Sequence, residues 1–309
     1  MRPVLKEFMS RIYQEKIDQF RAIRVQQDGK LWGEVFHAPR VPYNIHSTSK
    51  SFTSTAVGIA IDEGILSLED KVVDAFPEHL PEKISDRLGG LTLRHLLKMS
   101  SGHEHMTSAD PNRLIEYTNY SDDSWLRQYL SRDIIYEPGT QFWYESGDTY
   151  TAGAMLQKKV GMTTVEYLKS RLFDPLQIET PYWHTSPEGY NIGYTGLWLK
   201  TEDLIKLAEL YRNKGDWFGR QIFSAEWAAE ATSYLIATGN DDTKAGQKAS
   251  GYGYQIWVMK DGFCGSGLGG QYSIAIPKYN ACIAFSAYDI PKQSIVLDII
   301  LENIVPHLA

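Results

Sequence analysis

The chain has 309 residues, of which 43% are hydrophobic and 22% charged, and its formal net charge is −7. This composition is ordinary for a globular protein, and the length suffices for one large domain or two lobes. The negative balance argues against a nucleic-acid partner, because no basic excess is available to neutralise phosphates. No apolar stretch reaches the length of a membrane helix, so we expect no membrane span.

The first twenty residues alternate charged side chains with apolar ones at helical spacing, which predicts an amphipathic helix. They contain no continuous apolar core like that of a signal peptide. We therefore expect a cytoplasmic protein. The alternative is an exported protein whose leader was removed.

A hairpin follows, because the strand-like runs Ala22–Gln27 and Lys30–Phe36 flank Asp28-Gly29, whose residues tolerate positive φ. From Ser47 to about Thr243 the pattern is mostly helical. Signals for helix starts occur in this segment, as capping boxes at Ser67–Asp70 and Thr163–Glu166 and as caps or first-turn acids at Asp148, Thr201 and Ser224. A short amphipathic helix is predicted over Leu91–Met99, and residues 107–123 are predicted to form a surface loop.

Residues 239–251 are rich in Gly, Asp, Lys and Ser, which indicates a boundary. Strand-like runs follow at Gly253–Met259, Gln271–Ile276 and Ala281–Ala287, and Lys292–His307 is predicted to be the last helix. The resulting fold class is α+β, with one antiparallel sheet built from both chain termini, flanked by terminal helices and carrying an inserted, mainly helical lobe. We expect an α/β lobe of residues 1–46 and 246–309, a helical lobe of residues 47–245, and a site where they meet.

Ser47 and Lys50 are the first candidate catalytic residues. They stand at the start of a predicted buried helix that ends near Gly64. Residues three positions apart share a helix face, so Lys50 can reach the Ser47 hydroxyl. A helix start also offers unpaired backbone N–H groups that can bind an anion. A serine, a partner base and an anion site are the groups that covalent acyl transfer requires. Such a pair also arises by chance, as a cap and a lysine at the edge of a core helix.

Tyr144 and Ser146 lie just before a helix predicted over Thr149–Val160, where side chains can project into a cleft. A tyrosine beside an ammonium ionises more readily, because the opposite charge favours the phenolate. Alternatively, Tyr144 is one of 19 tyrosines that pack a core. Several aromatic residues, Tyr194 among them, lie near the proposed site segments in the sequence. They are expected either to line an acyl pocket or to belong to the core.

The glycine-rich run Gly265-Ser266-Gly267-Leu268 precedes or forms part of a strand. Glycine lets a ligand approach the backbone, and N–H groups there could complete an oxyanion hole with the Ser47 N–H. The structural alternative is a bulge or bend.

Metal and disulfide chemistry find little support. The spacing of His103-Glu104-His105 fits no common metal motif, so a solvated loop is favoured. His46 is expected to point away from Ser47, and no Ser-His-Asp triad is proposed. Cys264 and Cys282 are expected to be unbridged, with Cys282 opposite a residue near Ala275 in a hairpin.

Taken together, five segments of residues 20–290 resemble the serine β-lactamase-related family, which includes class C β-lactamases, penicillin-binding DD-peptidases, esterases and aminohexanoate-dimer hydrolases. They are HSTSKSFTSTAVGIAIDEGILSLEDKV, LTLRHLLKMSSG, FWYESGDTYTAGAML, YTGLWLKTEDLIKLAELY and GSGLGGQYSIAIP. The resemblance implies a β-lactamase/transpeptidase-like fold without a cofactor. It implies that Ser47 is the acylated nucleophile, Lys50 its proton-transfer partner and Tyr144 the base or relay. Gly265, Ser266 and Gly267 would match the K-T-G element, with the Leu268 N–H as second oxyanion donor.

Two departures bear on the substrate. Ser146 stands where penicillin-recognising members usually carry asparagine, and Gly265 where they carry lysine or histidine. The sequence therefore predicts a serine hydrolase of a small-molecule ester, amide or peptide. The alternatives are a β-lactamase or DD-peptidase and, from another class, a non-catalytic binding or sensor module on the same fold. The oligomeric state is left open.

Overall fold

The computed structural model describes residues 2–103, 124–179, 181–239 and 249–308. In these ranges the α-helices are α1 (Pro3–Gln14), α2 (Ser49–Asp62), α3 (Val72–Ala75), α4 (Asp86–Gly89), α5 (Leu93–Leu97), α6 (Trp125–Leu130), α7 (Ser146–Val160), α8 (Thr164–Leu168), α9 (Thr201–Arg212), α10 (Ala225–Ala231) and α11 (Gln293–Asn303). A π-helical turn, Lys169–Phe173, continues α8, and short 3-10 turns include His46–Thr48 before α2. None of the helices in this part of the chain is long and apolar enough to cross a bilayer.

The strands are β1 (Ala22–Gln27), β2 (Lys30–Phe36), β3 (Tyr43–Asn44), β4 (Tyr182–Trp183), β5 (Leu197–Leu199), β6 (Asp216–Trp217), β7 (Arg220–Gln221), β8 (Ile236–Ala237), β9 (Gly251–Tyr252), β10 (Trp257–Met259), β11 (Gly262–Gly267), β12 (Gln271–Ile276) and β13 (Ala281–Ser286). Eight of them form an antiparallel sheet in the order β2-β1-β13-β12-β11-β10-β9-β8. The N-terminal hairpin pairs with the last strand, Ala22 opposite Ser286, so both termini build the sheet. This confirms the predicted α+β fold class.

Helices cover both faces of this sheet. On one face, α1 and α11 pack against the apolar side chains of β1, β12 and β13, Phe8 and Phe285 among them. On the other face α9 packs against β13, β12 and β1, and the buried helix α2 starts against β11. The start of α2 is therefore held between the sheet and the middle segment of the chain.

Several predictions from local patterns are confirmed. Asp28 and Gly29 have φ of 52° and 69°, as the hairpin turn requires. Thr163 and Glu166 form the capping box of α8, and Ser224 caps α10. Cys264 and Cys282 are buried and unbridged, and Cys282 lies opposite Ala275.

Other predictions are wrong. Helix α7 begins at Ser146 and is capped by Glu145, whereas Asp148 is fully buried within the first turn. Ser67 and Asp70 form a turn and start no helix. The run Gly253–Met259 is broken, because Gln255 adopts φ 61° and turns the chain between β9 and β10.

Strand β11 was not predicted as a separate strand, since its glycines give no alternating pattern. The lobe boundaries remain a prediction, although β8 and α9 show that residues 201–237 also contribute to the sheet and its packing. The predicted loop at 107–123 lies outside the described residues, as does most of the predicted boundary at 239–251.

Candidate active site

Ser47 lies in a 3-10 turn directly before α2 and is half-buried. The Thr48 hydroxyl donates to the Gln271 carbonyl at 2.9 Å, which ties this turn to β12. The Ile45 N–H donates to the Leu197 carbonyl at 2.9 Å on the other side of the turn. The nucleophile candidate is thus fixed at a helix start, where backbone N–H groups and the helix dipole stabilise negative charge.

Lys50 is 1% exposed, and its ammonium lies among oxygen atoms of three segments. Its Nζ is 3.2 Å from Ser47 Oγ, 3.4 Å from Ser146 Oγ and 3.2 Å from the Tyr194 carbonyl oxygen. The contact with Ser47 follows from the three-residue spacing. The role of the Tyr194 carbonyl was not anticipated, although Gly193 and Gly196, with φ of 75° and 81°, mark the bend that presents it.

Tyr144 approaches the same ammonium through the face of its ring. Lys50 Nζ is 4.7 Å from the ring centroid, within cation–π range. The ring stacks on Trp257 at 5.3 Å and meets Tyr252 edge-on at 6.3 Å, so strands β9 and β10 hold it in place. The structure therefore brings Ser47, Lys50, Tyr144 and Ser146 together from segments about a hundred residues apart.

Strand β11 passes the start of α2 with Gly265 and Gly267 facing that helix and the turn before it. A Cβ at position 265 would lie 3.0 Å from Ser51 Oγ, and one at position 267 would lie 2.2 Å from the Ile45 carbonyl oxygen. Side chains alternate along a strand, so Ser266 faces the opposite side, where Gln293 Nε2 donates to its hydroxyl at 3.4 Å. Residue 266 can thus serve the site through its backbone only, while Leu268 lies 41% exposed just beyond the strand.

The close approach at position 267 gives a test of this packing. We expect Gly267→Ala to lower the free energy of unfolding by about 1–3 kcal/mol or more, because a carbonyl oxygen cannot rotate out of the way of the new methyl group. Urea denaturation measures this change. The control is Gly89→Ala, whose new Cβ meets nothing closer than 4.0 Å. Equal stability of the two variants would contradict the packing.

A buried polar network lies behind Tyr144 and Ser146. Glu145 accepts the Gly147 N–H at 2.9 Å and pairs with Arg132 at 3.1 Å. The Tyr129 hydroxyl donates to Asp148 Oδ1 at 2.5 Å. Burial, with the charge of Glu145, raises the pKa of Asp148 well above its usual range, so this carboxyl favours its neutral form. These groups fix the start of α7 at Ser146, three residues before the start at Thr149 that the sequence predicts.

His103 is part of this buried region, in contrast to the predicted solvated loop. It is 3% exposed, its Nδ1 lies 3.0 Å from Ser101 Oγ, and its ring is 4.3 Å from that of Tyr129. Glu104 and His105 lie outside the described residues. In the described ranges no group of three His, Cys, Asp or Glu side chains is arranged to hold a metal ion.

Burial, reinforced by the charge of Arg132, lowers the pKa of His103 from 6.5 to about 4. The unfolded chain then binds a proton that the folded protein does not, so the stability falls as the pH drops from 6.5 towards 4. The shift corresponds to on the order of 3 kcal/mol. We expect urea denaturation at about pH 7 and about pH 4.5 to show a smaller loss for His103→Gln than for the wild type. An equal loss in both proteins would contradict the assignment.

His46, the residue before Ser47, adopts φ 47° and directs its ring onto Tyr288, at 5.6 Å between centroids and 22° between planes. Burial, together with the charge of Arg21, lowers its pKa to about 4. The imidazole therefore stays neutral near neutral pH. Its stacking contact agrees with the expectation that it points away from the Ser47 hydroxyl.

An antiparallel sheet flanked by terminal helices, with a Ser-x-x-Lys helix starting at its face, is typical of the β-lactamase and transpeptidase folds. The family model described as Beta-lactamase matches residues 15–289, and the chain belongs to that family. The fold is thus that of a hydrolase family.

Among curated relatives, the chain is 27% identical over 196 residues to a β-lactamase of Escherichia coli K12; the match covers 59% of this chain and 49% of the relative. It is 26% identical to Protein flp of Staphylococcus aureus MW2, covering 46% of this chain and 28% of that protein. The match thus spans about half or less of these relatives.

Two solved structures share the fold over nearly the whole chain. EstCE1, described as a hydrolase with promiscuous acyltransferase activity, superposes with a TM-score of 0.78 at 15% identity, covering 97% of this chain and 98% of its own. The octameric penicillin-binding protein homologue from Pyrococcus abyssi superposes with a TM-score of 0.76 at 19% identity, covering 98% and 77%.

Proposed function

We propose that this protein is a serine hydrolase that cleaves an ester or amide bond of a small molecule or peptide through an acyl-enzyme on Ser47. The observation that carries the proposal is the buried Lys50 side chain, whose Nζ lies 3.2 Å from Ser47 Oγ and beside the ring of Tyr144. A serine becomes a useful nucleophile only with a partner that takes its proton, and a buried lysine and a tyrosine supply such a partner.

In the proposed reaction Lys50 reacts in its neutral amine form and, directly or through Tyr144 as relay, accepts the Ser47 proton while Oγ attacks the carbonyl carbon. The backbone N–H groups of Ser47 and Leu268 stabilise the negative oxygen of the tetrahedral intermediate. The relayed proton passes to the leaving alcohol or amine, and the acyl group stays on Ser47. Water then attacks the acyl-enzyme with the same groups as base, and the acid is released. The reaction uses neither a metal nor an organic cofactor.

Labelling with a fluorophosphonate probe tests this proposal directly, because the probe phosphonylates an activated serine hydroxyl. We expect one label per chain, located by peptide mass spectrometry in the segment that contains Ser47. A label on another serine, or none, would contradict the proposal. The absence of labelling would instead favour the non-catalytic binding or sensor module.

A β-lactamase or DD-peptidase is the second candidate, favoured by the curated β-lactamase relative. Glycine at position 265 and serine at position 146 speak against it, since the site then lacks the cation and the amide that penicillin-recognising members carry there. Nitrocefin hydrolysis, or a stable penicillin adduct on Ser47, would decide for this candidate. Turnover of simple esters without either result would decide against it.

A further inference from the structure

Arg21 lies directly before β1 and is half-buried near two tyrosine rings. Its guanidinium carbon is 3.9 Å from the centroid of Tyr43 and 6.0 Å from that of Tyr288. Burial lowers the pKa of this guanidinium, and the nearby groups that counter the effect are the two phenols. In the described part of the chain, no carboxylate lies within ion-pair distance of it.

The other arginines that lie over aromatic rings in the described ranges each have an acceptor. Arg40, over Phe36, pairs with Glu34 at 3.1 Å, and Arg171, over Tyr167, pairs with Glu63 at 2.7 Å. Arg2, over Trp32, donates to the Trp32 carbonyl at 2.6 Å. Arg21 differs because its side chain contacts aromatic rings, while no described side chain or carbonyl accepts from its N–H groups.

Tyr288 connects Arg21 to the candidate active site. Its ring stacks on His46, which precedes Ser47. It also packs against Gly269, which follows Leu268; a Cβ at position 269 would lie 2.8 Å from Tyr288 Cδ2. The ring therefore contacts the neighbours of both residues assigned above to the oxyanion hole, Ser47 and Leu268. Arg21 lies over the same ring, 6.0 Å from its centroid, and its charge also acts on His46.

We propose that Arg21, with Tyr43 and Tyr288, forms a subsite for a carboxylate carried by the substrate. A guanidinium edge matches a carboxylate with two parallel hydrogen bonds, and a half-buried position strengthens them. Glycine at position 265 supplies no charge, and Lys50 Nζ is already engaged by three oxygen atoms. A substrate carboxylate therefore needs a cation from another segment, and Arg21, directly before β1, offers one. This inference names the substrate class of the proposed hydrolase and rests on that proposed function.

The test compares matched esters on the wild type and on Arg21→Met. One pair is mono-4-nitrophenyl glutarate with 4-nitrophenyl valerate, which differ by a carboxylate on the acyl side. The other pair is 3-acetoxybenzoate with phenyl acetate, which differ by a carboxylate on the leaving group. In at least one pair, we expect Arg21→Met to lower kcat/KM for the carboxylated ester about ten-fold more than for the neutral one.

Two further variants separate recognition from structure. Arg40→Met removes a guanidinium that also lies over a ring. It should leave the ratio of kcat/KM between the carboxylated and the neutral ester of each pair unchanged. Arg21→Lys keeps the charge without the paired N–H groups, and it should retain only part of the preference. The proposal is overturned if Arg21→Met lowers kcat/KM equally for the carboxylated and the neutral ester of each pair, or leaves kcat/KM unchanged for all four esters.

A binding measurement keeps this test separate from that of the proposed function. Calorimetry on Ser47→Ala needs no turnover. It uses glutaric acid monoanilide with the neutral valeranilide for the acyl side, and 3-acetamidobenzoate with acetanilide for the leaving group. If the acid binds, Arg21→Met weakens that binding and the wild type cleaves no ester, the subsite is retained and the hydrolase is contradicted. Ester turnover without binding that depends on Arg21 would contradict the subsite and retain the hydrolase.

Discussion

Ser47→Ala is expected to lower the turnover of 4-nitrophenyl esters by at least about three orders of magnitude, because removing the nucleophile of an acyl-transfer unit removes the covalent step. The oxyanion donors of such a site are backbone N–H groups, which the substitution leaves in place. A small residual rate from water attack is therefore expected. Initial rates with 4-nitrophenyl acetate and butyrate measure the change.

The substitution should not disturb the fold. Ser47 is half-buried, and the turn around it is held by the Thr48 and Ile45 hydrogen bonds, which do not involve its hydroxyl. Ser54→Ala is a matched control, because Ser54 is a buried serine of the same helix that has no role in the proposed reaction. It should keep its activity within about two-fold. If Ser47→Ala retains more than about a tenth of the wild-type rate, the nucleophile is another group.

Local patterns in the sequence predict much of this fold. The Asp28-Gly29 turn fixes the first hairpin, because its conformation depends on two adjacent residues. A hairpin that turns near Lys278 and Tyr279 predicts a partner near Ala275 for Cys282, because one turn sets the register of the whole hairpin. Lys50 reaches Ser47 because three residues make almost one helical turn.

Features that depend on distant neighbours escape sequence analysis. Asp148 is of a residue type that often caps helices, but here it is buried against Tyr129, which belongs to a different helix. The sequence predicts a loop position for His103, but its ring packs against the same tyrosine. Arg21 belongs to no motif, and its position beside Tyr288 results from β1 pairing with the last strand of the chain. Tertiary contacts decide each of these cases, and no local preference encodes them.

The candidate site divides in the same way. The helix start with Ser47 and Lys50 is local and could be predicted, whereas the meeting of Lys50 with Tyr144 and Ser146 could be anticipated only from the family resemblance. The sequence did not predict which side of β11 the Ser266 side chain occupies. It follows from β11 being a regular strand, in which residues 265 and 267 necessarily share the opposite side.

Lys50→Met should separate activity from stability. We expect kcat/KM for simple esters to fall by at least about a thousand-fold, since the variant loses the group that exchanges a proton with Ser47. The described partners of Nζ include two hydroxyls and a carbonyl, which are neutral acceptors, so the substitution leaves no opposite charge among them unpaired.

Burying an ammonium costs several kcal/mol of desolvation free energy, whereas methionine fills a similar volume without charge. We therefore expect the free energy of unfolding of Lys50→Met to equal or exceed that of the wild type, as measured by urea denaturation. Lys98→Met, a half-buried lysine outside the site, is the control and should leave ester turnover unchanged. An active Lys50→Met would rule out Lys50 as the proton partner. An inactive variant with much lower stability would indicate that this lysine is needed mainly for the fold.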